Sequence, residues 1–289
     1  MSRLIRDQAE ASLQVATDSA LPSGLPLIKV TALAEFGVAI RLTTRAGGVS
    51  QGGYARANLA THVGDCPQAV AENRRRLATS LGSDPLWLNQ VHGVTIWDGD
   101  RQTPFAPSRG ATHARSGSPL APPFEADSPP TADGAVTATP QRWLALLTAD
   151  CLPVVLAATD CRRVAVAHAG WRGLAAGVLE AAAAAVGAPF AAWIGPAICG
   201  RCYEVDQPVI AALARRNPLP MGTIRQSSRP NHFLVDLPAV AAARLFQCGA
   251  VAVVQSGWCT REAPETWYSH RHEGPNTGRF ATLAALWPP

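Results

Sequence analysis

Three residues able to bind a soft metal or act as nucleophile and base stand beside apolar runs in this chain. Cys151 stands in Thr148-Ala149-Asp150-Cys151-Leu152-Pro153, directly after the run 143–147. His168 opens His168-Ala169-Gly170-Trp171-Arg172-Gly173 after the run 164–167. His92 lies upstream in Asn89-Gln90-Val91-His92-Gly93. Each run reads as a buried strand, and strand ends are where open α/β sheets place their chemistry.

Those residues leave three chemistries open. Two imidazoles and a thiolate form a three-ligand set for Zn²⁺, with a fourth position left for water or substrate. Cys151 and His168 alone would make a thiol nucleophile and its base. Asp133 and Asp150 together could do acid–base work. Asp133 sits in Ala132-Asp133-Gly134, a composition that a turn explains. Asp150, at the end of an apolar strand, is costly without a partner, and orienting a ligand imidazole would supply one.

The elements that must position these groups follow from periodicity. Strands are expected from residue 27, at 38–43, 86–88, 192–194 and 251–255. Helices are expected at 68–81, ending on Gly82, and at 174–186, 208–216 and 238–248. From residue 132 strands and helices alternate, as in one α/β domain spanning 26–289 after a tail at 1–25. Prolines, serines, alanines and glycines fill a loop insertion at about 101–130. The glycine-rich turn Arg45-Ala46-Gly47-Gly48-Val49-Ser50 could hold an anion on its amides and on Arg45.

Composition narrows the class. The chain is 47% hydrophobic and 16% charged, enough apolar matter for a sizeable core. A net charge of +4 and one short basic run, Arg74-Arg75-Arg76 on a helical face, predict no nucleic-acid partner. No window reads as a signal peptide or a membrane span, so no membrane association is expected. No feature points to a protein partner. The seven irregularly spaced cysteines fit a reducing cytoplasm. Cys199 and Cys202 form a Cys-x-x-Cys, but no second pair completes a four-cysteine zinc site.

Several further segments occur with these in a fixed order. They are Ala132-Asp133-Gly134-Ala135-Val136-Thr137, Ile194-Gly195-Pro196-Ala197-Ile198, Cys202-Tyr203-Glu204-Val205 and Thr277-Gly278-Arg279. Together with the three segments above, they resemble the purine nucleoside phosphorylase family formerly called multicopper polyphenol oxidases or laccase-domain proteins. The resemblance runs from about Arg41 to Leu286.

That resemblance implies a layered α/β/β/α fold of mixed sheets. It implies one Zn²⁺ held by His92, Cys151 and His168. It also implies phosphorolysis of adenosine, guanosine, inosine and methylthioadenosine, with adenosine deamination besides. The partners would be purine nucleosides and inorganic phosphate, with Arg45 and Arg172 as the phosphate candidates and Cys151, His168, Asp150 and Arg172 as the catalytic group. Some members are described instead as copper-dependent phenol oxidases or as editors of peptidoglycan precursors. Copper clusters of the oxidase kind need many paired histidines, and of the seven histidines only His270 and His272 have that spacing. A non-catalytic reading predicts a closed metal with Cys199 or Cys202 as fourth ligand. Two departures stand out: Cys199-Gly200-Arg201, where relatives often have Gly-Pro, and Ser269-His270-Arg271-His272, where they commonly have Tyr-Arg-Arg. His270 and His272 are expected on the surface.

Overall fold

The computed structural model describes residues 24–106 and 128–287. In chain order the strands are β1 (Leu27–Val30), β2 (Val38–Thr43), β3 (Ile96–Asp98), β4 (Thr103–Pro104), β5 (Gly134–Thr137), β6 (Leu144–Thr148) and β7 (Leu152–Ala158). They continue as β8 (Val164–Ala169), β9 (Phe190–Ile194), β10 (Glu204–Asp206), β11 (Ile224–Gln226), β12 (His232–Val235), β13 (Ala250–Gln255) and β14 (Phe280–Leu286). The helices are α1 (Pro67–Leu81), α2 (Trp171–Ala176), α3 (Val178–Val186), α4 (Gln207–Ala214), α5 (Leu237–Gln247) and the single turn α6 (His270–Glu273).

Two sheets carry the fold. One is antiparallel in the order β1-β2-β14-β6; the other is mixed, β13-β9-β7-β8-β5-β3-β4, parallel only at β13–β9 and β3–β5. Alternation along each strand sends side chains into two different cores. Val155, Ala157, Val166 and Trp193 of the larger sheet meet Ile40, Leu42, Leu144 and Leu146 of the smaller one. On its opposite face Val154, Leu156, Ala165 and Ile194 pack against α3 and α5 through Leu179, Ala182, Val240 and Leu245. Beyond the smaller sheet, Leu77 of α1 packs with Ala145, Leu147, Ala281 and Leu283. The layers therefore run α/β/β/α, as expected. A third, small sheet, β10-β12-β11, stands beside them.

The expected helix 68–81 is α1, closed by Gly82 in the left-handed region at φ 77°. Its buried stripe is Val70, Asn73 and Leu77. Asn73 crosses to the glycine-rich turn, accepting from Val49 N–H at 2.9 Å and donating to Asn58 O at 2.8 Å. The basic run on this helix is partnered within the chain. Arg75 and Arg76 both pair with Glu72, and Arg74 lies over the Trp87 ring at 4.2 Å.

Three expectations are corrected. The span 174–186 is not one helix: Gly177, at φ 106°, separates α2 from α3, and the Arg216 guanidinium occupies the place a Cβ there would need. The segment 86–88 forms only an isolated bridge between Leu86 and Leu144. Leu25, read as the end of the tail, is 1% exposed beneath α1. Of the insertion at 101–130, β4 pairs with β3 at one end, and residues 107–127 lie outside the described residues.

Candidate metal centre

The chain reaches Cys151 while crossing from one sheet to the other. β6 ends at Thr148 in the smaller sheet and β7 starts at Leu152 in the larger, leaving three residues for the passage. Asp150 makes that corner with φ 90°, a conformation costly for a residue with a Cβ. β7 then pairs antiparallel with β8, with Pro153 opposite His168. The hairpin brings the end of β8 back beside Cys151, which accounts for the 17-residue spacing in the sequence.

His92 arrives on a loop with no strand of its own. The Gln90 carboxamide ties this loop to the end of β6, donating to Leu147 O at 2.9 Å and accepting from Leu147 N–H at 2.8 Å. His92 itself has φ 62°. One ligand atom from each of His92, Cys151 and His168 lies within 4.8 Å of the others. Cys151 Sγ stands 3.8 Å from His92 Nε2, and the two imidazoles meet edge to face at 4.7 Å between centroids. Gly170 closes the space behind them. A Cβ there would stand 2.8 Å from His92 Cδ2 and 2.9 Å from Cys151 Sγ.

The carboxylate that organises the site is Asp133. Its Oδ1 lies 2.9 Å from His168 Nδ1 and accepts the His92 N–H at 2.8 Å. Its Oδ2 accepts the N–H groups of Val91 at 3.2 Å and Gly93 at 2.6 Å. Burial pushes the Asp133 carboxyl up, but these bonds outweigh it and hold it below the ordinary carboxylate range. An ionised Asp133 fixes the proton of His168 on Nδ1 and leaves Nε2 facing the thiol.

Asp150 does not orient an imidazole, one of the roles open to it from sequence. Its Oδ1 accepts the hydroxyls of Thr260 at 2.6 Å and Ser269 at 2.7 Å, and its Oδ2 accepts Arg271 N–H at 2.6 Å. Those bonds anchor the 260–271 segment to the corner beside Cys151. Asp133 and Asp150 therefore serve different segments rather than acting as a pair.

Arg45 is also reassigned. It donates to Ala55 O at 3.0 Å, Pro264 O at 3.1 Å and Glu273 Oε1 at 2.6 Å, and stacks on Tyr268 at 4.5 Å. It pins three segments together and is not among the residues that line the cavity at Cys151. The glycine-rich turn beside it is packed against backbone, since a Cβ on Gly48 would meet Arg56 O at 2.3 Å.

That cavity is about 410 Å³ and has the three candidate ligands in its wall. Arg172, exposed and lying over the Trp171 ring at 4.4 Å, lines it as expected. Arg271, Arg279, His62 and Tyr203 line it too, although none of them is expected there from sequence. Arg271 and Arg279 stand inside segments already singled out, so position next to a motif was the available signal; His62 carried none. His270 reaches the rim while remaining exposed, and His272 is exposed outside it.

Burial pushes the Cys151 thiol up, but the facing His168 and His92 imidazoles outweigh it and bring it down to about 6. Burial pushes His168 down, and Cys151 and Asp133 reverse this, raising it to about 9. Without a metal the two make a thiolate–imidazolium pair. With one, the same thiolate and two imidazoles are the donor set a catalytic zinc takes. Cys199 and Cys202 do not close this set; their sulfurs belong to a separate cluster with Cys259 and Glu262.

An α/β/β/α protein with a His–Cys–His centre at the crossover between its sheets is the class that fold and site define. The chain belongs to the family described as multi-copper polyphenol oxidoreductase laccase, whose model matches residues 39–287. It is 40% identical over 248 residues to a purine nucleoside phosphorylase of Pseudomonas aeruginosa, covering 85% of this chain and 92% of that one. It is 36% identical over 256 residues to purine nucleoside phosphorylase YfiH of Escherichia coli, covering 87% and 94%. The crystal structure of Neisseria meningitidis protein NMB0706 superposes with a TM-score of 0.74 at 35% identity, covering 87% of this chain and 95% of that one.

Proposed function

We propose that this chain is a zinc-dependent purine nucleoside phosphorylase that also deaminates adenosine. The observation that carries the reading is the His92–Cys151–His168 triplet in the wall of a cavity lined by Arg172, Arg271 and Arg279. The names of the Pseudomonas and Escherichia relatives support the phosphorolysis.

Phosphorolysis breaks the bond from ribose C1′ to the purine nitrogen while a phosphate oxygen bonds to C1′. The site must therefore gather an anion, hold a flat base and let that base leave with a proton. Three guanidiniums around one cavity suit the anion, since each can grip phosphate through two N–H groups. Trp171 and Tyr203 offer aromatic faces for the base, each with an arginine stacked nearby, Arg172 on Trp171 and Arg271 on Tyr203 at 5.2 Å. Asp133 keeps His168 in the tautomer that presents Nε2 to the site. His92, Cys151 and His168 would hold the zinc, which would supply Lewis acidity suited to deamination of adenosine as well as to phosphorolysis.

The donor set does not favour a multicopper oxidase. Among the described residues, only one cluster of metal-binding side chains contains histidine, and it has two. A cytoplasmic location is consistent with seven free thiols. No helix among the described residues is long and apolar enough to cross a membrane.

The thiolate–imidazolium pair favours a second reading, a Cys–His nucleophile that works without metal. Variants separate the two. Zinc chemistry requires that His92→Ala, Cys151→Ala and His168→Ala each lose both the zinc of this centre and adenosine turnover. A thiol nucleophile predicts that His92→Ala, or wild type stripped by a chelator, still turns over.

A further inference from the structure

A Cys-x-x-Cys pair and a cysteine about sixty residues further on converge on one side of the cavity. Cys199 and Cys202 lie on the loop from β9 to β10, and Cys259 follows β13. Their sulfurs and a carboxylate oxygen of Glu262 all lie within 4.8 Å of one another. The two segments are laced by backbone: Ala197 N–H donates to Trp258 O and Thr260 N–H donates to Ala197 O, both at 3.1 Å. Cys202 and Cys259 are buried together with Ile198.

The spacing fits a metal. Glu262 Oε1 stands 3.7 Å from Cys199 Sγ and 3.6 Å from Cys202 Sγ. Tetrahedral zinc with bonds of about 2.3 Å to sulfur and 2.1 Å to oxygen sets the same S···O edge at about 3.6 Å. Three sulfurs select a thiophilic ion over Mg²⁺ or Ca²⁺. Three thiolates and a carboxylate would leave a divalent ion with excess negative charge. Two arginines offset it: Arg201 donates to Glu262 at 2.8 and 3.1 Å, and Arg261 hydrogen-bonds Cys202.

We infer that Cys199, Cys202, Cys259 and Glu262 form a second zinc site, closed by four protein ligands and separate from His92, Cys151 and His168. Its role is structural. Ile198 and Tyr203, on the same loop, line the cavity, and Ile198 N–H donates to Asp150 O at 3.0 Å. Thr260, next to Cys259, donates its hydroxyl to Asp150. Zinc here would clamp the cavity wall to the corner that carries Cys151.

The test is zinc stoichiometry. The full chain is purified under reducing conditions without contact with affinity metals, its zinc is counted by mass spectrometry, and the stripped protein is titrated with Zn²⁺ alone. Two ions per chain are expected. The double variant Cys202→Ser/Cys259→Ser should keep one, and His92→Ala/His168→Ala should keep the other. Glu262→Gln, which preserves size and fold, should bind the second zinc at least ~10-fold more weakly with an unchanged circular dichroism spectrum. With cobalt in place of zinc, thiolate-to-metal absorption should persist in the His92→Ala/His168→Ala protein. Zinc lost only in the cluster variants would support this site while removing the metal from the proposed function. A single zinc per chain, lost with His92 and indifferent to Cys202, Cys259 and Glu262, would overturn the inference.

Discussion

Asp133 holds His168 through Nδ1 at 2.9 Å and, with the same carboxylate, gathers the N–H groups of residues 91–93 that carry His92. One buried side chain thus sets the position of two of the three candidate ligands. All four of its partners are donors once His168 carries its proton on Nδ1. Asp133→Asn therefore turns an NH₂ group toward an N–H whichever way the amide faces. The variant should bind zinc 10–100-fold more weakly, as loss of a ligand's hydrogen-bond partner does elsewhere. It should also lose about 1–3 kcal/mol of stability. Zinc competition with a chromogenic chelator and urea unfolding of the metal-free protein measure the two effects. An unchanged zinc affinity would contradict the role assigned to Asp133.

Gly170 offers a steric test of the same centre. Its φ of −63° suits any residue, so alanine meets no backbone penalty. The added Cβ collides with His92 and Cys151 instead. Gly170→Ala should cost about 1–3 kcal/mol through overpacking and reduce zinc occupancy. Thermal unfolding and metal analysis of one preparation check both. Full occupancy with wild-type stability would show that the ligands do not need this close approach.

Arg45 and Arg172 should separate cleanly. Arg172→Ala should raise KM for phosphate with little change in thermal stability, because the side chain is exposed at the cavity. Arg45→Ala should lower stability by about 1.5–3 kcal/mol, the range for charged hydrogen bonds, and leave KM for phosphate near wild type. Phosphate-dependence curves and unfolding curves for both variants decide it; a phosphate defect in Arg45→Ala would restore the role the sequence suggested for it.

The Arg45–Glu273 pair also predicts a pH dependence. Burial pushes Glu273 up, but the Thr277 hydroxyl and Arg45 outweigh it and hold it below its ordinary value of 4.5. A depressed carboxyl stabilises the fold above the unfolded pKa, and that contribution disappears as pH falls through the folded one. The loss therefore falls below about pH 4.5. Glu273→Gln should be less stable than wild type at pH 7, with the gap narrowing on acidification. Paired melting curves from pH 7 down to pH 3 test this, and a constant gap would contradict it.

Much of the site was legible because its residues sit inside compact motifs, two of which follow apolar runs that form strands. His92, Cys151 and His168 could be picked out, and so could the layered fold their family implies. The organising role of Asp133 was hidden, since Ala132-Asp133-Gly134 has the composition of a turn and its partners lie 35 to 42 residues away. Asp150 drew attention because it is costly to bury beside Cys151. The groups that satisfy it, at 260, 269 and 271, are brought there only by the fold. β7 escaped notice because Pro153 interrupts its apolar run, yet the proline stands at the strand's second residue, opposite His168 and ahead of the pairing with β9, which starts at Val154. The cysteine cluster followed the same logic: Cys199 and Cys202 looked incomplete because Cys259 and Glu262 join them across about sixty residues.

The most direct test of the central claim is phosphate-dependent release of ribose 1-phosphate from adenosine, followed by phosphorus NMR. Wild-type protein and His92→Ala are compared across a zinc titration. The account predicts ribose 1-phosphate equal to the adenine and hypoxanthine released together, only with phosphate present, at a rate that tracks zinc in wild type and is absent in the variant. No ribose 1-phosphate from zinc-loaded wild type, or equal rates with and without His92, would contradict it.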